Sequence, residues 1–280
     1  RRFAAAAAAS ATTTTTTTKT KNGAVVPLTY DDDDADVASR FGLFLEKVAT
    51  HLQPRYYTIA SSSVADTSKV HVVCSVVDLP DGRRGLCSGY LAGLRKGDLC
   101  AAFVRPSSFR MPPPREEGGG GETQKKAPLV LVGPGTGLAP MRAVLRERAS
   151  GVGPFATQVS EACLYFGCKK PELDFIYEDE LRAWEKRGDV LDKLEIAFSR
   201  AQKEKVYVQD LMKRPADRAY LKRTLLDERG VLFVCGGTNM GRAVLEALLD
   251  VFMDALPRDA AAAAVDAMRN EGRYVQELWA

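Results

Sequence analysis

The chain has 280 residues, of which 45% are hydrophobic and 27% charged, as in a globular protein with one large domain or two smaller ones. A net charge of +3, with lysines and arginines scattered along the chain, excludes a protein built chiefly to bind nucleic acid. There are only two histidines, and none of the six cysteines are spaced Cys-x-x-Cys. We therefore expect no metal site, reduced thiols and a cytoplasmic location.

The first stretch of the chain is of low complexity. Residues 1–35 contain an alanine run, a threonine run that begins at Thr12 and the acidic block Asp31–Asp34. Such tracts bury little apolar surface, so we expect a solvated linker without chemistry. The first residue is Arg1 rather than Met, and we expect the chain to begin inside a longer protein. It has no run of about 18 apolar residues, so we expect no membrane span.

A helix is predicted next, followed by strands. Apolar residues recur at helical spacing from Val37 to Leu52, and Pro54 ends the pattern. β-branched and aromatic residues then dominate three short segments: Tyr56–Ile59, Val70–Val77 and Leu99–Val104. Strands this close together, without helices between them, favour a small antiparallel barrel. A loop rich in proline and glycine at 112–126 marks its end.

Strand-like and helix-like segments alternate in the rest of the chain. Strands are predicted at Pro128–Val132, Ala162–Gly167, Leu194–Phe198 and Val231–Cys235. Helices are predicted at Pro140–Ala149, Glu178–Arg187, Val208–Lys213 and Arg242–Leu256. This alternation predicts βαβ units, and therefore a doubly wound α/β domain with a parallel sheet.

A glycine-rich turn, Gly133-Pro134-Gly135-Thr136-Gly137, joins the first of these strands to its helix. Glycines let a backbone approach a ligand closely, and the free N–H groups that begin a helix favour an anion such as a pyrophosphate. The motif is neither the dinucleotide fingerprint GxGxxG nor a P-loop. A tight structural turn and a phosphate cradle are equally good interpretations of it.

A polar cluster follows the third predicted strand of this domain. Ser199-Arg200 ends that strand, and Lys205-Val206-Tyr207-Val208-Gln209 follows. Ligands of open α/β sheets bind outside the carboxyl ends of the strands. A hydroxyl, a guanidinium, an ammonium and an aromatic ring there suit the ribose phosphate and adenine of NADPH. A solvated loop with ordinary charges is the alternative interpretation.

Several longer segments resemble, in the same order, the signatures of one family. They are Arg55–Ser62, Gly85–Ser88 with Leu91, Phe103–Arg110, Gly133–Pro140 with Arg142, Phe166–Cys168 with Asp174-Phe175, Ala197–Arg200, Val234–Gly237 and Trp279. Together they resemble the FAD- and NADPH-binding part of the diflavin reductases, whose FAD domain is a barrel of the ferredoxin–NADP reductase type. The resemblance implies a remnant of the helical connecting domain at 36–52, an incomplete FAD-binding barrel at 53–126 and a NADP-binding domain at 127–280.

The resemblance also implies which residues bind FAD. They are Arg55, Tyr56, Tyr57, Thr58, Gly85, Leu86, Cys87 and Ser88. Arg55 would pair with the pyrophosphate, Tyr57 would pack on the flavin face, and Thr58 would hydrogen-bond near the reactive flavin nitrogen. The backbone of Gly85–Ser88 would cradle the pyrophosphate, and the Ser88 hydroxyl would add a donor.

A second implied set binds NADPH and supports the chemistry. The NADPH-binding residues are Thr136, Ser199, Arg200, Lys205, Val206, Tyr207, Val208 and Gln209. Thr58, Cys235 and Glu277 would stabilise the charge that moves between nicotinamide and flavin. Trp279 would stack on the flavin where nicotinamide must sit, and would have to move for hydride transfer.

The implied reaction is hydride transfer from NADPH to FAD, followed by electron transfer through an FMN domain that this sequence lacks. The segment Arg84–Ser88 and the ending Glu277–Ala280 most resemble the branch of the family that reduces an iron–sulfur assembly protein similar to anamorsin. An NADPH–haemoprotein (cytochrome) reductase is an alternative. So is a non-catalytic, degenerate nucleotide-binding or docking fragment, because the barrel lacks its first strand. The segment Cys235–Met240 also departs from the family's CGDARNM, being one residue shorter, which weakens the case for cofactor contacts there.

Overall fold

The computed structural model describes residues 34–48, 53–113 and 126–279. Residues 1–55 and 56–280 form two separate compact units. In the first unit, helix α1 spans Asp34–Val48, which confirms the predicted helix and begins it three residues earlier. The predicted end of that helix and the alanine and threonine runs lie outside the described residues.

A five-stranded parallel sheet forms the centre of the second unit. Its strands are β1 Ala127–Val132, β2 Val159–Cys168, β3 Lys193–Phe198, β4 Val231–Gly237 and β5 Tyr274–Trp279. Their order in the sheet is β3-β2-β1-β4-β5, and every neighbouring pair is parallel. The chain therefore runs outward in one direction from β1 and then in the other from β4. This reversal between β1 and β4 creates a topological switch point.

Helices cover both faces of this sheet. They are α3 Leu138–Ser150, α4 Pro154–Thr157, α5 Pro171–Asp174, α6 Glu178–Arg187, α7 Val208–Met212, α8 Pro215–Lys222, α9 Thr238–Phe252 and α10 Arg258–Asn270, with a π-helical turn at Arg223–Asp227. Alternate residues of β1 face opposite layers: Leu131 packs in the core that includes α3 and α6, and Val130 packs in the core that includes α7 to α10. The predicted doubly wound α/β architecture is confirmed.

The region 53–113 departs from the prediction. The three predicted strands are not formed; within this region the described pairing consists of isolated antiparallel bridges, Ile59 to Val72 and Asp78 to Arg84. A short helix, α2 Leu86–Gly93, follows the second bridge. The physical reason is exposure, since Leu99 is 93% exposed. A strand gains most of its stability by burying one face, and strand-forming residues that remain exposed lack that gain.

Three regular elements near the end of the chain were not predicted. They are α8, α10 and the edge strand β5. The helix predicted at Arg242–Leu256 lies four residues earlier, at Thr238–Phe252. Among the described helices, none is both long enough and apolar enough to cross a membrane.

Candidate nucleotide-binding site

The glycine-rich turn between β1 and α3 combines two functions. A Cβ on Gly133 would collide with the carbonyl oxygen of Gly137, and a Cβ on Gly137 would collide with that of Cys235 on β4. These two glycines therefore allow close packing of the turn against the sheet. Gly135 differs, because its φ is +57° and a Cβ there would meet no described atom within 4 Å. The turn is thus tight at both ends and open to a ligand at its middle glycine.

A cleft of about 490 Å³ opens beside this turn, at the carboxyl ends of the strands. Its walls are formed by Pro134, Gly135, Gly167, Cys168, Lys169, Asp174, Ala197, Ser199, Val206, Tyr207, Val208, Gln209, Asn239, Met240 and Ala243. Its volume is typical of small-molecule sites, and its position is where open α/β sheets bind ligands.

Backbone pairing between β2 and β3 continues past the strands and builds one wall of the cleft. The N–H of Ser199 donates to the carbonyl of Cys168 at 2.9 Å, and the N–H of Arg200 donates to that of Lys169 at 2.9 Å. The carboxylate of Asp174 accepts the backbone N–H of Lys169 at 2.8 Å. Among the described wall residues, Lys169 is the one that carries a cationic side chain.

Most of the predicted adenosine-binding segment lines the cleft. Val206, Tyr207, Val208 and Gln209 are all wall residues. Tyr207 begins α7, and its N–H donates to the carboxylate of Asp210 at 2.8 Å, which caps the helix. The Tyr207 side chain remains 43% exposed, so its ring is free to stack on a base.

Three predicted NADPH-binding residues stand outside the described wall. Thr136 is half-buried within the glycine-rich turn, and Arg200 and Lys205 are exposed near the rim. Sequence reasoning also missed part of the wall, namely Lys169 and Asn239. Lys169 directly follows β2, and Asn239 is the second residue of the helix that follows β4, so closeness to the carboxyl end of a strand is the signal that could have identified them.

A second group of predicted residues meets at the ends of β4 and β5. Cys235 and Glu277 are register partners in the parallel pair, and the Thr58 side chain hydrogen-bonds to Cys235. Cys235 is fully buried. Burial, followed by the charge of Glu277, raises the pKa of its thiol to about 12, while the hydrogen bond with Thr58 acts in the opposite direction. The thiol is therefore neutral at physiological pH, and the sheet brings all three predicted residues together.

Trp279 ends the same edge strand. It is the register partner of Gly237 on β4, and 42% of it is exposed. Its indole is therefore held by the strand backbone rather than buried in a core.

The two predicted FAD segments contact each other. The pKa of the Tyr57 hydroxyl is raised by its hydrogen bond with the Cys87 thiol, by burial and by a hydrogen bond with Cys74. The neighbouring Tyr56 ring is exposed, lies edge-on to Phe103 at 6.0 Å, and has the Arg105 guanidinium 4.7 Å above it.

The second FAD segment forms the start of α2. Gly85 precedes the first turn of the helix, and Leu86 is exposed. Ser88 is buried, and its hydroxyl accepts the N–H of Val77 at 3.1 Å and donates to the carbonyl of Gly85 at 3.3 Å. Donation from Ser88 to a pyrophosphate would therefore require it to release Gly85. Arg55, in the other unit, is exposed and donates to the Gln53 carbonyl at 2.5 Å.

An ionic network ties the Thr58 segment to the sheet domain. Arg142 of α3 is buried and donates to the carbonyl of Ala60 at 2.6 Å and to Glu180 of α6 at 2.5 Å. One turn later, Arg146 pairs with Asp66 at 2.5 Å. The Arg146 guanidinium lowers the pKa of Asp66 to about 2. Since Ala60 lies two residues after Thr58, this network fixes the extended segment that reaches Cys235.

The fold and the cleft define a dinucleotide-binding α/β domain, and comparison with known proteins narrows the class. Residues 131–246 match the family described as "Oxidoreductase NAD-binding domain". The chain therefore carries an oxidoreductase NAD-binding domain. Among the described residues, no cluster of histidine, cysteine or carboxylate side chains is arranged to hold a metal ion.

Curated relatives extend the similarity beyond this domain. The chain is 35% identical over 243 residues to the NADPH–cytochrome P450 reductase of Dictyostelium discoideum, an alignment that covers 84% of the chain and 34% of that protein. It is 34% identical over 241 residues to the reductase of the same name from Sus scrofa, covering 81% and 34%. It is 33% identical over 238 residues to nitric oxide synthase 3 of Sus scrofa, covering 81% and 19%. The chain thus spans about a third of the length of the reductases it matches.

Proposed function

We propose that this chain is the FAD- and NADPH-binding module of a diflavin reductase that moves a hydride from NADPH to FAD. The proposal rests on one observation. Thr58, Cys235 and Glu277 come together near the carboxyl ends of β4 and β5, on the side of the sheet where the nucleotide cleft also opens. Bound FAD would supply the redox chemistry, accepting the hydride and releasing single electrons. The protein's part is to bind, orient and stabilise charge.

The described residues fit NADPH in the cleft. The open backbone at Gly135 and the beginning of α3 suit a pyrophosphate. Tyr207 offers a ring for adenine, and Ser199 lies in the wall beside it. Arg200 and Lys205, exposed at the rim, would turn toward the extra phosphate that distinguishes NADPH from NADH.

The residues at the ends of β4 and β5 fit hydride transfer. Cys235 is neutral and buried, so it excludes water without adding a charge. The hydroxyl of Thr58 and the carboxylate of Glu277 would face the charge that shifts as the hydride moves. Trp279 at the end of β5 would cover the flavin until nicotinamide replaces it.

FAD would bind to the region 53–113. The N–H groups that begin α2 after Gly85 offer donors to a pyrophosphate, with Leu86 and Cys87 in the first turn. Tyr56 and Tyr57 would provide the aromatic surface. This assignment supports a domain boundary near 126, with the FAD-binding part before it and the NADP-binding part after it.

We further infer that electrons leave through an FMN domain of the same full-length protein to a protein acceptor in the cytoplasm. The resemblance of Arg84–Ser88 and of Glu277–Ala280 supports an iron–sulfur assembly protein similar to anamorsin. The similarity to proteins named NADPH–cytochrome P450 reductase supports the second candidate, a haemoprotein such as a cytochrome. Reconstitution with an FMN domain and each acceptor in turn separates the two, because only the true acceptor is reduced at a rate that saturates.

The visible absorption spectrum tests the module itself. The chain is titrated with FAD, freed of excess flavin by gel filtration and mixed with NADPH without oxygen. We expect a retained flavin band that NADPH bleaches. A chain that retains no flavin, or flavin that NADPH does not bleach, would instead indicate a degenerate docking fragment.

A further inference from the structure

The carboxylate of Glu277 is held by a turn at Ser107-Ser108, which precedes the sheet in the sequence. The hydroxyls of Ser107 and Ser108 donate to Oε1 of Glu277 at 3.0 and 2.8 Å, and the N–H of Ser108 donates to the same oxygen at 2.9 Å. The partners are 169 and 170 residues apart in sequence. A contact this distant depends on the tertiary fold and not on local turn geometry.

The turn is itself anchored. Phe109 is buried, and its ring lies 4.9 Å from that of Phe233 on β4. The N–H of Phe109 donates to the hydroxyl oxygen of Ser107 at 3.1 Å, and this hydroxyl donates in turn to Glu277. The same strand that carries Cys235 therefore fixes the donors that hold Glu277.

Convergence on one oxygen has a chemical consequence. Three donors share the two lone pairs of Oε1, and none of these three donates to Oε2. The turn therefore immobilises one end of the carboxylate and leaves the other end free. A group fixed before the reaction needs no reorganisation when charge develops beside it.

We propose that Ser107 and Ser108 are positioning residues for hydride transfer, which orient the Glu277 carboxylate so that Oε2 faces the reacting cofactors. This inference rests on the proposed function and extends it to residues that do not themselves reach the cofactor. It also makes the region 53–113 contribute twice to one site, through Thr58 at Cys235 and through Ser107 and Ser108 at Glu277.

The first test is stopped-flow flavin reduction by NADPH deuterated at the transferred position, in the full chain loaded with FAD. We expect Ser107→Ala/Ser108→Ala to slow hydride transfer about tenfold, to retain the isotope effect and to leave NADP⁺ affinity unchanged. The single variant Ser108→Thr keeps a hydroxyl and should retain most of the wild-type rate of hydride transfer. Ser150→Ala at the exposed end of α3 is the matched control and should match the wild type.

The second test needs neither FAD nor turnover. Amide hydrogen exchange of Ser108 is measured in the chain with Glu277→Ala, where we expect the amide to exchange about tenfold faster. The Ala60 amide, held by the His71 carbonyl at 2.7 Å, should be unchanged. This measurement tests the contact between Ser108 and Glu277 even where the serine variants fail to fold.

The outcomes separate the two proposals. A wild-type chain whose flavin NADPH never reduces defeats the proposed function, while the exchange measurement still reports on the contact. A wild-type chain that is reduced normally, with an unchanged rate in the double serine variant or unchanged Ser108 exchange, overturns the positioning proposal. An equal loss of NADP⁺ affinity and rate also overturns it, because a purely structural tie produces that pattern.

Discussion

The sheet domain and the region 53–113 contribute to the same candidate site but are stabilised very differently. Leu131 at the centre of β1 is fully buried, whereas Leu99 in the other region is 93% exposed. The sheet has continuous parallel pairing on every strand, and the other region has two isolated bridges among its described residues. The candidate site therefore joins a frame of continuously paired strands to a segment held by a few specific contacts.

Those contacts are side-chain ties to the frame. Arg142 holds Ala60, Arg146 holds Asp66, and Phe109 packs on Phe233. Chemistry that depends on Thr58 therefore depends on them. Core packing in the frame and ion pairing at the ties should respond differently to mutation and to pH, and the following predictions exploit that difference.

The largest difference is expected between two leucines. Leu131→Ala removes a fully buried side chain and should lower the free energy of unfolding by about 2–5 kcal/mol. Leu99→Ala removes an exposed one and should change it by less than about 0.5 kcal/mol. Urea denaturation followed by circular dichroism measures both. Similar effects for the two variants would contradict the contrast between the regions.

The next effect concerns the Asp66–Arg146 tie, whose side chains are 12% and 25% exposed. Asp66→Asn should cost about 1.5–3 kcal/mol, since it removes hydrogen bonds to a charged group. Asp81→Asn is the matched control, because its partner Arg83 is 78% exposed and surface pairs contribute only about 0–1 kcal/mol. Urea denaturation at neutral pH measures both variants. Equal losses in the free energy of unfolding for Asp66→Asn and Asp81→Asn would show that the Asp66–Arg146 pair stabilises the fold no more than a surface pair.

The same tie predicts a pH dependence. The folded-state pKa of Asp66 is about 2, below its ordinary value of 3.8. The folded protein therefore holds this proton less tightly than the unfolded chain does. The stabilisation is fully present above about pH 4 and is lost as the pH falls toward 2. The stability difference between wild type and Asp66→Asn should shrink over that interval, and a difference that stays constant would contradict the assignment.

A comparable effect is expected at the rim of the cleft. Arg200→Ala should weaken NADPH binding by about 1.5–3 kcal/mol, or roughly 10- to 100-fold, and change NADH binding little. Lys203→Ala, an exposed cation on the same loop, is the control. Isothermal titration with both nucleotides measures the difference. Equal losses for NADPH and NADH would show that Arg200 does not bind the extra phosphate.

The smallest effect is expected at Trp279. If Trp279 stacks on the flavin, the pair contributes about 0.5–1.5 kcal/mol beyond its buried area. NADPH must displace the indole, and the binding energy of its adenosine contacts would offset that cost. Deleting Trp279 and Ala280 should narrow the preference for NADPH over NADH, mostly by improving NADH, and should slow release of the oxidised nucleotide. Steady-state flavin reduction with each nucleotide measures it. An unchanged preference would make Trp279 a packing anchor.

The sequence predicts the sheet domain better than it predicts the region 53–113. The buried runs of β1 and β4 and the glycine-rich turn are local signals, and the structure confirms them as strands and turn. The edge strand β5 was missed because polar Gln276 and Glu277 interrupt its apolar residues. The three strands predicted between 56 and 104 were wrong, because β propensity does not reveal that these side chains stay exposed.

Site residues divide in a similar way. Tyr207 and Gln209 were predicted from a cluster that is contiguous in sequence, and they line the cleft. Lys169 was missed because its placement depends on pairing between β2 and β3. The turn that holds Glu277 joins residues about 170 positions apart, and no local pattern encodes such a contact.

We propose that Thr58 from one region and Cys235 from the other act as one unit in hydride transfer. A double-mutant cycle with Thr58→Ala and Cys235→Ala, read as the rate at which NADPH reduces the bound flavin, tests it most directly. We expect the double variant to be little slower than the slower single variant, because either change already breaks the shared contact. Rates that multiply, with independent losses at each position, would contradict it.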